Sequence, residues 1–215
     1  MDKSFKIEKN LPFRVALNKM DFRNTPAYHL IVALVSLLLI LILYFNGIGL
    51  NRAVAGVVFF LLFLTLFIGP FMKLQRPQTE VLPWNLPWSW RGELGIWFTI
   101  LSLVHWRLSC NLSGTIRLSG LMGLVALGLS LILALTSNPK ALRSLGINSW
   151  KWLQNFAYVI FYLVGLHTIH YAFLRPGRPL DWLHWFYLLL ILVIIVLQAA
   201  AFIKTVKDYR RSMGR

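Results

Sequence analysis

Long runs of apolar residues, almost free of charge, constrain the fold of this chain more than any other feature. Six runs can be marked, at residues 28–49, 53–72, 93–109, 118–136, 152–173 and 181–203. A helix needs about 20 mainly apolar residues to cross the roughly 30 Å hydrocarbon core of a membrane. The composition agrees, because 58% of the residues are hydrophobic and only 13% are charged. We therefore predict an all-α membrane protein, a bundle of six transmembrane helices surrounded by membrane lipid.

The basic residues indicate how such a bundle is oriented. With six crossings both termini share one side, and seventeen of the 22 Lys and Arg residues fall on that side. Positive residues accumulate in cytoplasmic segments, so the sequence predicts an N-in, C-in arrangement. This topology accounts for the net charge of +15 without a nucleic-acid partner. The predicted organisation is a basic cytoplasmic segment at 1–27, a transmembrane domain at 28–205 and a basic cytoplasmic tail at 206–215.

The cysteine content and the missing motifs limit the redox chemistry open to the chain. Cys110 is the only cysteine, which excludes an internal disulfide and any cysteine-ligated cluster within this chain. There is no Cys-x-x-Cys-His sequence for covalent haem attachment, and no Gly-rich nucleotide fingerprint. The chain therefore has no recognisable domain of its own for taking electrons from NAD(P)H.

Two histidines lie at matched depth in the third and fifth apolar runs. His105 follows Arg91 by 14 residues, about 21 Å of helix, and His167 follows Lys151 by 16 residues, about 24 Å. Ionisable groups inside membrane spans are costly and usually mark function. Because both spans run outward, the two imidazoles are predicted to ligate one haem b iron from opposite sides. The alternative is that each histidine forms a hydrogen bond inside the bundle and holds no metal.

The helical spacing of residues before His105 also supports a haem site. Arg91, Gly95, Phe98, Ser102 and His105 recur at steps of four and three residues, which places them on one helix face. The glycine and the serine on this stripe leave room for a flat macrocycle.

Further candidates surround the two predicted ligands. His170 shares much of the face of His167, so it either replaces His167 as ligand or forms a hydrogen bond with a propionate. The arginines of the outer side either pair with the propionates or extend to water. These arginines are Arg107, Arg117, Arg175 and Arg178.

Two segments resemble a known family. The run RGELGIWFTILSLVHWRLS, from residue 91, is similar to the Arg-Arg-x-Leu-Gly…Leu-His segment of the ferric-reductase-like transmembrane domain family. The run at 119–173 follows the same family's order of a Gly-rich span, Leu-Thr-Ser, a short basic loop, Trp-x-x-Leu and two histidines. The closest branch comprises the haem-binding membrane subunits of bacterial periplasmic methionine-sulfoxide reductase systems.

The resemblance implies b-type haem between the third and fifth spans, with His105 and His167 as the outer ligands. The positions matching the family's inner haem ligands are Arg91 and Gln154, and glutamine is a poor ligand for haem iron. One haem, in the outer half of the bilayer, is therefore expected. Arg91 and Gln154 either bind a quinone headgroup or a flavin phosphate, or simply lie at the membrane interface.

Together these features predict a cytochrome of the bacterial cytoplasmic membrane. Electrons would come from a quinol or a separate flavin reductase and pass to an acceptor on the outer side, either a partner protein or Fe(III). The alternative is a haem-free structural or assembly subunit of a membrane complex that retains the cytochrome fold.

Overall fold

The computed structural model describes residues 26–74, 90–110, 118–174 and 180–214. The first 25 residues of the predicted basic segment lie outside these ranges, as do Arg117, Arg175 and Arg178. The described residues are helical, without strands. The elements are α1 Pro26–Phe45, α2 Leu50–Leu74, α3 Trp90–Cys110, α4 Leu118–Thr136, α5 Pro139–Leu145, α6 Ile147–Gln154, α7 Phe156–Ile169, a π-helical turn His170–Leu174, and α8 Trp182–Ser212.

Within the described part, four helical segments are long and apolar enough to cross a membrane. They are Ala27–Phe45, Leu50–Phe71, Asn148–Leu174 and Trp182–Ser212. The apolar part of α4, Gly120–Thr136, is shorter. Helix α3 carries Arg91, Glu93 and Arg107, which lower its hydropathy. The predicted all-helical membrane fold is thus confirmed, while six crossings and the N-in, C-in orientation stay predictions.

Helix α2 forms the centre of the bundle and packs against α1, α3 and α8. Ala53, Val54 and Val57 are almost fully buried on it, and such small side chains let neighbouring helices approach closely. The outer helices instead expose large apolar side chains; Phe202 of α8 is 70% exposed. A continuous apolar exterior of this kind is stable only in contact with lipid.

The helix boundaries differ from the predicted spans at several ends; the last helix, for example, continues to Ser212, past the predicted end at residue 203. The first span ends at Phe45 rather than residue 49, because Gly47 adopts φ 84, a left-handed conformation that glycine reaches without a steric penalty. The fifth span is divided at Asn155, and its end continues as the π-helical turn beyond His170. A π-helical turn changes the facing of the residues that follow it, so simple helical spacing fails there.

The two ends of the bundle carry different polar groups, and we name them by one residue each. The Asn51 end comprises the start of α2, the end of α3 and the start of α8. The Pro70 end comprises the last turns of α2, the starts of α3 and α7, and the second half of α8. Asn51 and Arg52 lie in the first turn of α2.

Candidate functional site

His105 is held near the Asn51 end by a contact with the backbone of α2. Its Nδ1 lies 3.3 Å from the carbonyl oxygen of Asn51. The Asn51 side chain also donates to the hydroxyl of Ser109, at 3.1 Å, which joins α2 to the last turn of α3. A carbonyl only accepts, so the neutral His105 ring that forms this bond carries its proton on Nδ1. The lone pair of Nε2 is then left for a metal, the arrangement that orients most metal-bound histidines.

His167 packs against a glycine of α4. A Cβ atom at Gly123 would lie 3.2 Å from both Cε1 and Nδ1 of the His167 ring, so a larger residue would push the imidazole away. The ring also contacts Tyr171, with 4.9 Å between the two ring centroids.

Helices α3 and α7 run in the same direction, as the depth argument requires. Arg91 of α3 and Tyr158 of α7 both approach Gly69 of α2, near the Pro70 end. Each helix then reaches its histidine farther toward the other end.

The surroundings of the histidines are framed by α2 and α4. Both α3 and α7 pack against these two helices, while in the described part of the chain they contact each other little. A Cβ at Gly95, on the His105 stripe, would meet no atom within 4 Å. Phe98, on the same stripe, is buried in the core. There is therefore free space beside Gly95, whereas the Phe98 side chain is packed against its neighbours.

The residues present fit a haem better than a metal centre built from protein ligands alone. Among the described residues, no group of three or more His, Cys, Asp or Glu side chains could hold a metal ion. A haem iron needs only two axial protein ligands, since the porphyrin supplies the others. His105 and His167 are two such residues. Gly95 and Gly123 have no side chains, which leaves space beside α3 and beside the His167 ring.

The other predicted site residues have separate positions. His170 caps the end of α7, half-buried, with its ring at the edge of Tyr171. Arg107 is exposed. The Nε of Arg91 donates to the carbonyl of Thr65 at 3.1 Å. Gln154 donates to the hydroxyl of Ser137 at 3.3 Å. Arg91 and Gln154 thus contact different elements, α2 and the residue that follows α4.

A charged cluster at the Asn51 end was not predicted. Arg52 of α2 donates to Asp181 Oδ1 at 2.6 Å. The same Arg52 nitrogen lies 3.2 Å from Nδ1 and 3.3 Å from Nε2 of His184, a ring that is only 5% exposed. Nearly equal distances to both ring nitrogens place the guanidinium over the face of the imidazole, a favourable stacking geometry for arginine. The cluster joins the first turn of α2 to the start of α8.

Asp181 also caps helix α8. Its carboxylate accepts from the backbone N–H groups of Leu183 and His184, while its own N–H donates to the His184 ring. Burial opposes ionisation of Asp181, but the hydrogen bond and charge of Arg52, together with His184, outweigh this effect and lower its pKa. An acidic cap three residues before a polar side chain, just ahead of an apolar run, is a helix-start signature that the sequence does contain.

The chain matches no family model, and no curated protein matches it in sequence. The functional interpretation therefore depends on the geometry described above.

Proposed function

We propose that this protein is a membrane b-type cytochrome in which His105 and His167 ligate one haem iron from opposite sides. The observation that carries the proposal is that His105 and His167 lie on co-directional helices, α3 and α7, which both pack against α2 and α4 and contact each other little in the described part of the chain. The contact of His105 Nδ1 with the Asn51 carbonyl supports it, because this contact presents Nε2 as a ligand.

The bound haem would supply one-electron chemistry, and the chain's own residues set its environment. The axial imidazoles and the apolar helices determine the reduction potential of a haem. His167 rather than His170 is the proposed ligand, since the His167 ring contacts Gly123 of α4, one of the two helices that pack against both α3 and α7. His170 lies where the helix changes to a π-helical turn.

The wider context is part of the same proposal. We place the chain in the ferric-reductase-like transmembrane family, with six crossings of a bacterial cytoplasmic membrane and both termini inside. The histidine pair then lies in the outer half of the bilayer. A quinol or a separate flavin reductase would donate electrons, and a partner protein or Fe(III) on the outer side would accept them.

Haem content per chain tests this proposal. The protein is expressed with adequate haem supply, purified in detergent, and analysed by its reduced-minus-oxidised spectrum. We expect about one b-type haem per chain, a loss of at least tenfold in His105→Ala and in His167→Ala, and retention in His170→Ala. His29→Ala, at the start of α1, is the matched control and should keep its haem.

Two outcomes would contradict the proposal. Retention of haem in both His105→Ala and His167→Ala would show that other residues ligate it. Absence of haem from a folded wild-type protein would favour the haem-free structural or assembly subunit.

A further inference from the structure

A cleft opens at the Pro70 end, where α2, α7 and α8 meet. Its volume is about 270 Å³. Pro70, Ala201 and Phe202 form its apolar wall, and Lys73, Tyr158, Gln198 and Thr205 form its polar part. Pro70 has no N–H, so the Leu66 carbonyl lacks its normal helical partner and the packing of α2 is interrupted at this point.

The polar lining of the cleft suits an acceptor ligand. Gln198 accepts at Oε1 from the hydroxyl of Tyr162, at 2.8 Å, which leaves its amide Nε2 to donate. That Nε2 atom is buried and has no hydrogen-bond partner among the residues that the structure describes. Thr205 already donates to the carbonyl of Ala201. No acidic residue lines the cleft, and Lys73 contributes a positive charge.

The charge around the cleft favours an anion. Helix C-termini carry a partial negative charge, which would repel an anion near the end of α2. Here Lys204 donates to the carbonyls of Lys73 and Leu74, at 2.7 and 3.3 Å, and so neutralises that end. The last turn of α8 adds two further basic residues, Arg210 and Arg211.

The apolar wall identifies the source of that anion. Phe202 is 70% exposed and Ile203 is 52% exposed, and both belong to the lipid-facing surface of α8. A ligand in the cleft therefore meets donors at one end and an apolar helix face at the other. Basic pockets between transmembrane helices bind anionic lipid headgroups in this way.

We propose that the Pro70 cleft binds the phosphate headgroup of an anionic membrane lipid, with the acyl chains along the exposed face of α8. Lys73 supplies the charge, Gln198 Nε2 donates a hydrogen bond, and Phe202 packs against the chains. This site is separate from the histidine pair and does not depend on haem.

Retention of lipid by the purified protein tests the site. The full chain is reconstituted in vesicles of equal parts phosphatidylglycerol and phosphatidylcholine, then extracted in mild detergent, and the retained lipids are quantified by mass spectrometry. We expect enrichment of phosphatidylglycerol in the wild type. Lys73→Gln and Gln198→Leu should each reduce that enrichment about tenfold, the effect of losing roughly 1.4 kcal/mol of binding.

Matched controls make the result decisive. Lys207→Gln removes a positive charge from α8 outside the cleft and should retain lipid like the wild type. Excess inorganic phosphate should fail to displace the lipid, since it has no chains to contact Phe202. Equal retention of the two lipids by the wild type would overturn the proposal, a result that needs no variant. So would equal losses in Lys73→Gln and Lys207→Gln, or a retained quinone that depends on Gln198 but not on Lys73.

Discussion

The two ends of this helical bundle satisfy their polar groups to different degrees. At the Asn51 end, Asp181 is bonded to Arg52 and to two backbone N–H groups of α8. At the Pro70 end, both carboxyl oxygens of Glu93 and the amide nitrogen of Gln198 are buried without a hydrogen-bond partner. An unpaired buried polar group costs stability, whereas a paired one fixes a single packing. The Asn51 end also buries one hydroxyl without a partner, that of Tyr187. The contrast therefore lies in the carboxyl groups: that of Asp181 is paired, and that of Glu93 has no partner among the described residues.

The strongest test of this contrast is the removal of Asp181. Asp181→Ala eliminates the cap of α8 and the partner of Arg52, so we expect the free energy of unfolding to fall by about 2 kcal/mol. The ion pair itself contributes at the low end of its range, because Asp181 and Arg52 are each 35% exposed. Unfolding in mixed detergent micelles measures the change. Asp208→Ala, exposed near the other end of α8, is the control, and an equal loss there would refute the contrast.

The next largest loss of stability is expected from the packing of α2 against α8, beside the charged cluster. A Cβ at Gly56 would lie 2.9 Å from the Tyr187 hydroxyl, whose side chain is buried. Gly56→Ala should therefore destabilise the protein by about 1–2 kcal/mol through overpacking. Tyr187→Phe removes the clashing atom and should restore most of that loss in the double variant. Gly128→Ala, where nothing lies within 4 Å, should cost nothing; a double variant as unstable as Gly56→Ala would disprove the clash.

The Pro70 end should respond in the opposite direction. Glu93 is 2% exposed and neither of its carboxyl oxygens has a partner. Replacing it by an apolar side chain of similar length, Glu93→Met, is expected to raise the free energy of unfolding by about 1 kcal/mol, because an unsatisfied buried group is removed. The same micelle unfolding assay measures it. Destabilisation comparable to that of Asp181→Ala would show that Glu93 is paired in the folded protein.

The smallest expected effect is the dependence of stability on pH that Asp181 causes. The pKa of Asp181 is lowered in the folded state, so its charge contributes stability at pH values above the unfolded pKa of about 3.9. That contribution is lost as the pH falls through the lower, folded pKa. Asp181→Asn keeps a capping side chain and removes the charge. Its difference from the wild type, under about 1 kcal/mol at pH 7, should shrink below pH 4. A difference that stays constant would place the contribution outside the ion pair.

The sequence was sufficient for the all-helical architecture with apolar membrane-type helices, whereas the pairing of the two histidines stays a prediction. Long apolar runs locate membrane helices because side chains in contact with lipid must be apolar. Residue counts along the third and fifth runs predict that His105 and His167 lie at similar depth. The break at Asn155 and the π-helical turn after His170 carry no signal of this kind, since they arise from packing between helices. The Asn51 contact to His105 could not be predicted either, because any residue offers a backbone carbonyl.

Contacts between residues that are far apart in the sequence were the hardest to predict. The Arg52–Asp181 pair joins residues that are 129 positions apart in the sequence. The Pro70 cleft forms where α2, α7 and α8 meet, so it could not be predicted without knowing how these three helices pack. The roles expected for Arg91 and Gln154 stay predictions; in the structure Arg91 donates to the Thr65 carbonyl and Gln154 to the Ser137 hydroxyl.

The spin state of the haem iron tests the central claim most directly. Electron paramagnetic resonance of the oxidised wild type should show a low-spin haem with two nitrogen ligands. His105→Gly and His167→Gly should each either lose the haem or become high-spin, and added imidazole should restore the low-spin signal by replacing the missing ring. Gly128→Ala serves as the unaffected control. An unchanged low-spin signal in either histidine variant would contradict the account.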